Sequence, residues 1–181
     1  EKVQDISSRI REGVDQYLRL RMALVILRRE IERYRKENEG PLLTRGGAYF
    51  QRLTLNSFTG LTTDFNEKDE PVLLGVRPAG QRVRIEAMSD GTRDQLYLSL
   101  RLASLEKYLE ASEPMPFVVD DILVNFDDQR AAATLGALAE LSKKTQVLFF
   151  THHRRLTELA QGGEKDGQVK VINLERAYER H

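Results

Sequence analysis

The sequence predicts an α/β domain preceded by one long helix. Apolar residues recur at heptad spacing up to residue 34, which is typical of a helix. Later, two short apolar runs, residues 117–119 and 146–150, flank a stretch rich in alanine and leucine. That order predicts a strand, helix, strand unit with a parallel sheet.

The heptad pattern predicts that residues 1–39 are the end of a coiled-coil arm, followed by a lobe over residues 40–181. A long amphipathic helix lying on the domain is the alternative. Asn38, Gly40 and Pro41 predict the end of the helix. Two heptad positions carry the apolar stripe: Val3, Ile10, Tyr17, Leu24 and Ile31 at one, and Ile6, Leu20, Leu27 and Tyr34 at the other.

The rest of the chain alternates between helical and extended patterns. Its first part predicts a helix and then a small antiparallel β element. A long helix, the strand, helix, strand unit and a closing segment follow. The predicted ranges are helices 44–55, 88–113, 127–144 and 154–161, strands 61–65, 71–77, 81–86, 117–119, 146–150 and 169–174, and a turn at 162–163.

Composition excludes several classes of protein. Lysine plus arginine and aspartate plus glutamate are both 28, so the net charge is zero and no global field favours nucleic acid. No cysteine, long apolar run or signal-peptide pattern is present, so we expect a cytoplasmic protein without a membrane partner. The chain opens on Glu1 in mid-pattern, and we expect it to be part of a longer protein.

Ionisable residues follow both apolar runs of the strand, helix, strand unit. Asp120 and Asp121 follow the first run, and Thr151, His152 and His153 follow the second. Parallel strands place their ligands beyond their carboxyl ends. Two adjacent carboxylates there repel each other unless a cation is present, so the pattern favours a magnesium-bound phosphate. Helix capping and a histidine satisfied within a loop are the structural alternative.

A glycine-containing loop, Ser89 to Arg93, precedes the long helix. Ser89 is placed as N-cap, and free N–H groups at a helix start suit a phosphate. Serine before a helix is more often only a cap, so this motif is weak alone. Its position before the carboxylate strand raises its value.

Taken in order, these motifs resemble the ABC-type ATPases. Residues 88–92 resemble the signature loop, residues 117–121 the Walker B strand, residues 125–127 the D-loop, and His152 the switch histidine. The heptad helix before the domain is similar to the SMC-like branch. Residues 91–98 and 119–128 resemble the bacterial YhaN-like ATPases, relatives of the SbcC exonuclease subunit. We call residues 88–92 the signature-like loop and residues 125–127 the D-loop-like segment.

The resemblance implies a C-terminal half of an ATPase head, which acts with its own N-terminal half and a second head in a homodimer around ATP and Mg²⁺. Asp120 would hold magnesium, Asp121 would polarise water, and His152 would contact the γ-phosphate. Ser89 and Gly91 would complete the neighbouring site, and Asp127 would link both sites. DNA and a nuclease subunit are the further partners implied, in DNA processing or repair.

Two departures from that pattern limit catalysis. Asp90 stands where such loops carry glycine, and Asp121 stands where glutamate is usual, so hydrolysis is expected to be slow. No stretch fits the phosphate-binding loop G-x-x-x-x-G-K-[ST]. The fragment alone is therefore predicted to be inactive, with that loop in the other half.

Two other functions stay open at this stage. One is a non-catalytic coiled-coil scaffold gated by nucleotide. The other is a metal-dependent hydrolase or nuclease with its ligands among Asp120, Asp121, Asp127, Asp128, His152 and His153. The basic run between Arg28 and Lys36 could contact DNA phosphates, but interleaved glutamates favour a solvated helix face.

Overall fold

The computed structural model describes residues 2–38, 40–68, 70–164 and 169–174. Two compact units are present, Glu1–Pro41 and Leu42–His181. In the first unit, α1 spans Lys2–Asn38, as the heptad pattern predicted. Its apolar side chains are exposed along the described part of the stripe, including Ile10, Tyr17, Leu20, Leu24, Leu27, Ile31 and Tyr34.

Helix α2, Gly40–Leu53, leads into the small antiparallel sheet. Strands β1 (Gly60–Phe65), β2 (Pro71–Val76) and β3 (Arg82–Arg84) pair in chain order. The predicted β element is therefore confirmed, with a shorter third strand. Its apolar side packs with α2 and the next helix in one core cluster: Phe50, Phe58, Val83, Met88 and Leu96.

Helix α3, Asp90–Leu109, contributes residues to two core clusters of the second unit. Leu96, Leu102 and Ala103 are fully buried on it. Gln95, also fully buried, donates a hydrogen bond of 2.9 Å from Nε2 to the carbonyl oxygen of Leu53. This bond ties α3 to the end of α2. The helix ends before the prolines at 114 and 116 that predicted its stop.

The strand, helix, strand unit is confirmed. Strand β4 (Phe117–Asp120) and strand β5 (Val147–Phe150) pair in parallel, and α4 (Asp128–Leu141) connects them. Helix α4 packs Ala137, Leu138 and Leu141 into a core that it shares with α3. The opposite face of the two-stranded sheet leaves Val118, Leu148 and Phe150 exposed.

Two predictions near the chain end are wrong. Helix α5, Arg154–Glu164, includes Gly162 and Gly163, which were predicted to form a turn. Glycine weakens a helix but does not end it when an apolar residue, here the buried Leu156, anchors the helix. Residues 169–173 form no strand. An alternating pattern is a local preference that tertiary context can override.

Candidate functional site

The carboxyl ends of β4 and β5 bring the predicted ionisable residues to one edge of the sheet. The parallel register pairs Asp120 with Phe150, so residue 121 and residues 151–153 leave the sheet side by side. The N–H of Asp121 donates a hydrogen bond of 3.0 Å to the carbonyl oxygen of Phe150. Asp120 itself lies exposed at the same edge.

Asp121 has a left-handed backbone, with φ of +46°. Aspartate tolerates this region better than most residues, but such conformations cluster where function requires them. The turn at residue 121 brings the carboxylate to the second strand's loop. There Oδ2 contacts Nδ1 of His152. The Asp121 side chain is 27% exposed and the His152 side chain is 75% exposed.

The surroundings of Asp121 favour its ionised form. The Thr151 hydroxyl is the largest cause that holds the pKa of Asp121 below its ordinary value of 3.8, and the His152 ring adds to it. Partial burial opposes both by raising the pKa. The second carboxylate oxygen, Oδ1, is buried and has no hydrogen-bond partner among the residues that the structure describes. Asp121 is therefore an ionised group with one unsatisfied oxygen.

His153 was assigned only to the metal-hydrolase alternative, yet it belongs to this cluster. Its ring lies against the His152 ring, with centroids 4.0 Å apart. Its Nε2 is buried, and no group in the described part of the chain forms a hydrogen bond with it. Its main-chain N–H donates 3.1 Å to the Thr151 hydroxyl, which holds the loop in place. The consecutive histidines after an apolar run are the signal for this residue.

The signature-like loop starts helix α3. Ser89 is the N-cap, and its Oγ accepts from the Thr92 N–H at 3.4 Å and lies 2.9 Å from the Thr92 hydroxyl. Asp90 forms an ion pair with Arg93 in the same turn. From the sequence alone, Asp90 was a negative charge expected to repel a phosphate. Because Arg93 pairs with it, that repulsion is smaller than expected.

Gly91 packs directly against the D-loop-like segment of the same chain. A Cβ at this position would lie 2.8 Å from the carbonyl oxygen of Asn125. Beside it, Asn125 donates a hydrogen bond of 2.8 Å from Nδ2 to Asp94. Close packing against Asn125 therefore explains why a glycine is needed at position 91, and the sequence did not reveal this contact.

Asp127 caps helix α4. Its Oδ1 accepts from the Arg130 N–H at 2.9 Å, and Oδ2 lies 3.4 Å from Nε of Arg130. The capping expected under the structural alternative is thus present at Asp127. The chain brings Asp121 and His152 into contact. Among the described residues, no hydrogen bond or ion pair joins Ser89 to either of them.

Several known proteins are similar to this chain in sequence or in fold. No family model matches the chain. The uncharacterized protein YhaN of Bacillus subtilis is 30% identical over 151 residues, which cover 83% of this chain and 15% of YhaN. The DNA double-strand break repair Rad50 ATPase of Sulfurisphaera tokodaii is 30% identical over 127 residues, covering 65% of this chain and 14% of Rad50.

The chain also shares its fold with SMC ATPase structures. A solved structure from work on the ATP-driven dimerization and DNA-stimulated activation of SMC ATPases superposes with a TM-score of 0.56 at 17% identity. The match covers 69% of this chain and 75% of that one. The chain belongs with the SMC-like ATPase heads, near YhaN. It spans about a seventh of the length of YhaN and of Rad50.

Within an SMC-like head fragment, the cluster of Asp121, His152 and His153 lies at the sheet edge where the resemblance put the catalytic residues. Ser89 and Gly91 lie at the start of α3. None of the helices in the described ranges combines the length and apolarity needed to cross a membrane.

Proposed function

We propose that this chain is the C-terminal half of an SMC-like ATPase head that binds and hydrolyses ATP between two dimerised heads. The observation that carries the proposal is the contact of Asp121 with His152 beside Asp120, at the carboxyl edge of a parallel pair of strands. Similarity to the Rad50 ATPase supports the same reaction class.

Asp120 fits the role of magnesium ligand, because its exposed carboxylate offers the oxygen atoms that this hard cation prefers. Bound Mg²⁺ would neutralise charge on the phosphates. Asp121 is kept ionised and would orient and polarise the attacking water. His152 has an exposed ring. On leaving its contact with Asp121, the ring would donate a hydrogen bond to the γ-phosphate.

Ser89 and Gly91 would complete the site of the second head. The start of α3 presents N–H groups and the positive end of the helix dipole. The ion pair of Asp90 with Arg93 reduces the negative charge that the phosphate meets there. Asp127 would link the two sites across the dimer from its place at the start of α4.

The N-terminal half of the same head is the first partner proposed. Parallel strands are normally covered on both faces, whereas Val118, Leu148 and Phe150 are exposed on one face of the β4–β5 sheet. The 181 residues also contain no phosphate-binding loop. That face is therefore a suitable place for the missing half, and the isolated chain should not hydrolyse ATP.

DNA processing or repair with a nuclease partner is the biological role proposed, in the cytoplasm. It rests on the similarity to Rad50, which is named for double-strand break repair. Function does not follow from fold, so this part of the proposal depends on assays with DNA and the full-length protein.

Mixing two full-length variants tests the shared site. Ser89→Arg should block head closure while each head still binds ATP, and a phosphate-loop lysine variant should fail to bind. A mixed dimer has one site with both defects and one with neither, so partial ATP hydrolysis is expected. ATP-dependent dimerisation of Ser89→Arg at wild-type strength would contradict the shared site.

Asp121→Asn tests the role of the second carboxylate. The amide keeps the size but cannot accept a proton, so nucleotide binding should persist while steady-state phosphate release is largely lost. If Asp121→Asn hydrolyses ATP at the wild-type rate while Asp120→Asn does not hydrolyse it, Asp121 is not the general base. Nucleotide binding without any turnover in the wild-type full-length protein would favour the non-catalytic scaffold.

A metal-dependent hydrolase is the second candidate, because Asp121, His152 and His153 lie together. Fewer of the residues predicted as metal ligands for that alternative are available, however. Asp127 is engaged by Arg130 and Asp128 by Arg155. Manganese-dependent cleavage of DNA by this chain alone, lost in His153→Ala, would support the hydrolase over the ATPase head.

A further inference from the structure

Three side chains of two loops could act together as metal ligands. Asp121, His152 and His153 each offer one ligand atom, and these atoms lie within 4.8 Å of one another. The ligands of a tetrahedral zinc ion lie about 3.4 Å apart, given bonds of about 2.1 Å. Rotation of the exposed His152 ring and small shifts of its neighbours would close that difference.

Within the described ranges of the chain, two buried atoms of the cluster have no hydrogen-bond partner. They are Oδ1 of Asp121 and Nε2 of His153. A buried polar atom without a partner is costly, and an ion is one explanation for such an atom. One cation between Asp121 and His153 would satisfy both.

The backbone holds these groups in place before any ion binds. The left-handed turn at Asp121 and the hydrogen bond from its N–H to Phe150 fix one loop. The hydrogen bond from the His153 N–H to the Thr151 hydroxyl fixes the other. Both loops leave paired strands, so the cluster is built on a rigid part of the fold.

We propose that Asp121, His152 and His153 form a binding site for a transition-metal ion of the zinc class. Two imidazoles and one carboxylate suit zinc, whereas magnesium prefers oxygen ligands only. The site is therefore chemically distinct from the magnesium role proposed for Asp120. Water would take the fourth position.

Such an ion would act as an inhibitor of the head, a consequence that rests on the proposed ATPase function. It would bind the carboxylate of Asp121 and the ring of His152 at once. Asp121 could then no longer polarise water, and His152 could no longer turn to the γ-phosphate. Metal binding and ATP hydrolysis would exclude each other.

Binding is tested on the chain itself with Zn²⁺ by isothermal titration calorimetry and with Co²⁺ by its visible absorption bands. One ion per chain is expected, and His153→Ala or Asp121→Asn should weaken binding about tenfold or more. His181→Ala is the matched control and should bind normally. Equal binding by wild type and both cluster variants would overturn the site.

Nitrogen chemical shifts of the histidine rings provide a measurement that needs no variant. Zn²⁺ should shift the ring signals of His152 and His153 in the wild-type chain. Shifts confined to His181 would overturn the proposal even if a variant failed to fold.

Inhibition is tested in the full-length protein. Zn²⁺ should suppress magnesium-dependent ATP hydrolysis in the wild type, whereas the rate of His153→Ala, compared with its own rate without zinc, should resist the ion. Equal inhibition of both proteins would contradict the regulatory role. Absence of any hydrolysis would refute the proposed ATPase function, while the binding result on the isolated chain would stand by itself.

Discussion

Arg155 donates a hydrogen bond of 2.7 Å from Nη2 to the carbonyl oxygen of Phe126. The same guanidinium lies 3.0 Å, through Nε, from Oδ1 of Asp128. The contact joins the first turn of α5 to the D-loop-like segment. His152 precedes that turn by two residues, so the side chain of Arg155 connects the start of the helix after the histidine loop to the segment ahead of α4.

Replacing Arg155 should loosen this connection. Arg155→Ala removes a charge-assisted hydrogen bond to a buried turn, and we expect a loss of about 1 to 2 kcal/mol in the free energy of unfolding. Arg154→Ala is the control, because that side chain is 92% exposed and pairs only within its helix. Urea denaturation measures both. Equal losses would show that Arg155 acts as an ordinary surface residue.

Gly91→Ala should destabilise the chain although alanine favours helices. The new methyl would lie 2.8 Å from the Asn125 carbonyl oxygen, so α3 or the D-loop-like segment must move. A cost of about 1 to 3 kcal/mol is expected from such overpacking. Gly136→Ala, in the exposed middle of α4, meets only a flexible arginine and should gain about 0.5 to 1 kcal/mol. Thermal unfolding of the two variants measures whether stability falls in Gly91→Ala and rises in Gly136→Ala.

Thr151→Val should raise the pKa of Asp121 toward its ordinary value, because the threonine hydroxyl is the main cause of the lowered pKa. A lowered pKa stabilises the fold above the unfolded value, and that contribution is lost as the pH falls through the folded pKa. The stability difference between wild type and Thr151→Val should thus be largest at neutral pH and narrow below pH 3.8. The part that remains at low pH is the loss of the hydrogen bond from the His153 N–H to the Thr151 hydroxyl. Carboxyl chemical shifts give the pKa, and an unchanged pKa in the variant would refute this cause.

Gln95→Glu should destabilise the chain in a pH-dependent manner. Oε1 of Gln95 is buried without a partner, so the new carboxylate would be ionised without a donor. Burial raises such a pKa, and stability should fall as the pH rises above about 4.3, by about 3 to 5 kcal/mol at neutral pH.

Gln95→Met is the matched apolar variant. It leaves the Leu53 carbonyl unpaired and should cost about 1 to 3 kcal/mol at every pH. Chemical denaturation at pH 4 and pH 7 separates the two variants. A pH-independent loss in Gln95→Glu would mean that water reaches the site.

Periodicity predicted most of the fold, and adjacency along the chain predicted part of the site. Heptad spacing gave α1, and apolar runs gave β4 and β5, whose parallel pairing puts Asp121 beside His152. Contacts between distant residues were not predictable, because a single sequence carries no register between elements. The hydrogen bond of Asn125 with Asp94 is one example. The proposed roles in ATP hydrolysis stay predictions.

The pair of glycines at 162 and 163 and the segment 169–173 show how local patterns fail. Gly162 lies in α5 because its helix is anchored through Leu156, a property of packing that composition does not reveal. The alternating pattern over 169–173 predicted a strand, but such a pattern is a local preference that the rest of the fold can override. Both errors arose where tertiary context outweighs local preference.

The left-handed backbone of Asp121 makes this position a place where two laboratory selections should disagree. Glycine or asparagine adopts φ of +46° more readily, so a library screened only for heat resistance should drift toward them. A library screened for turnover should retain an acid there. Sequencing the survivors of both screens would separate residues kept for folding from residues kept for chemistry, and position 121 should differ most between them.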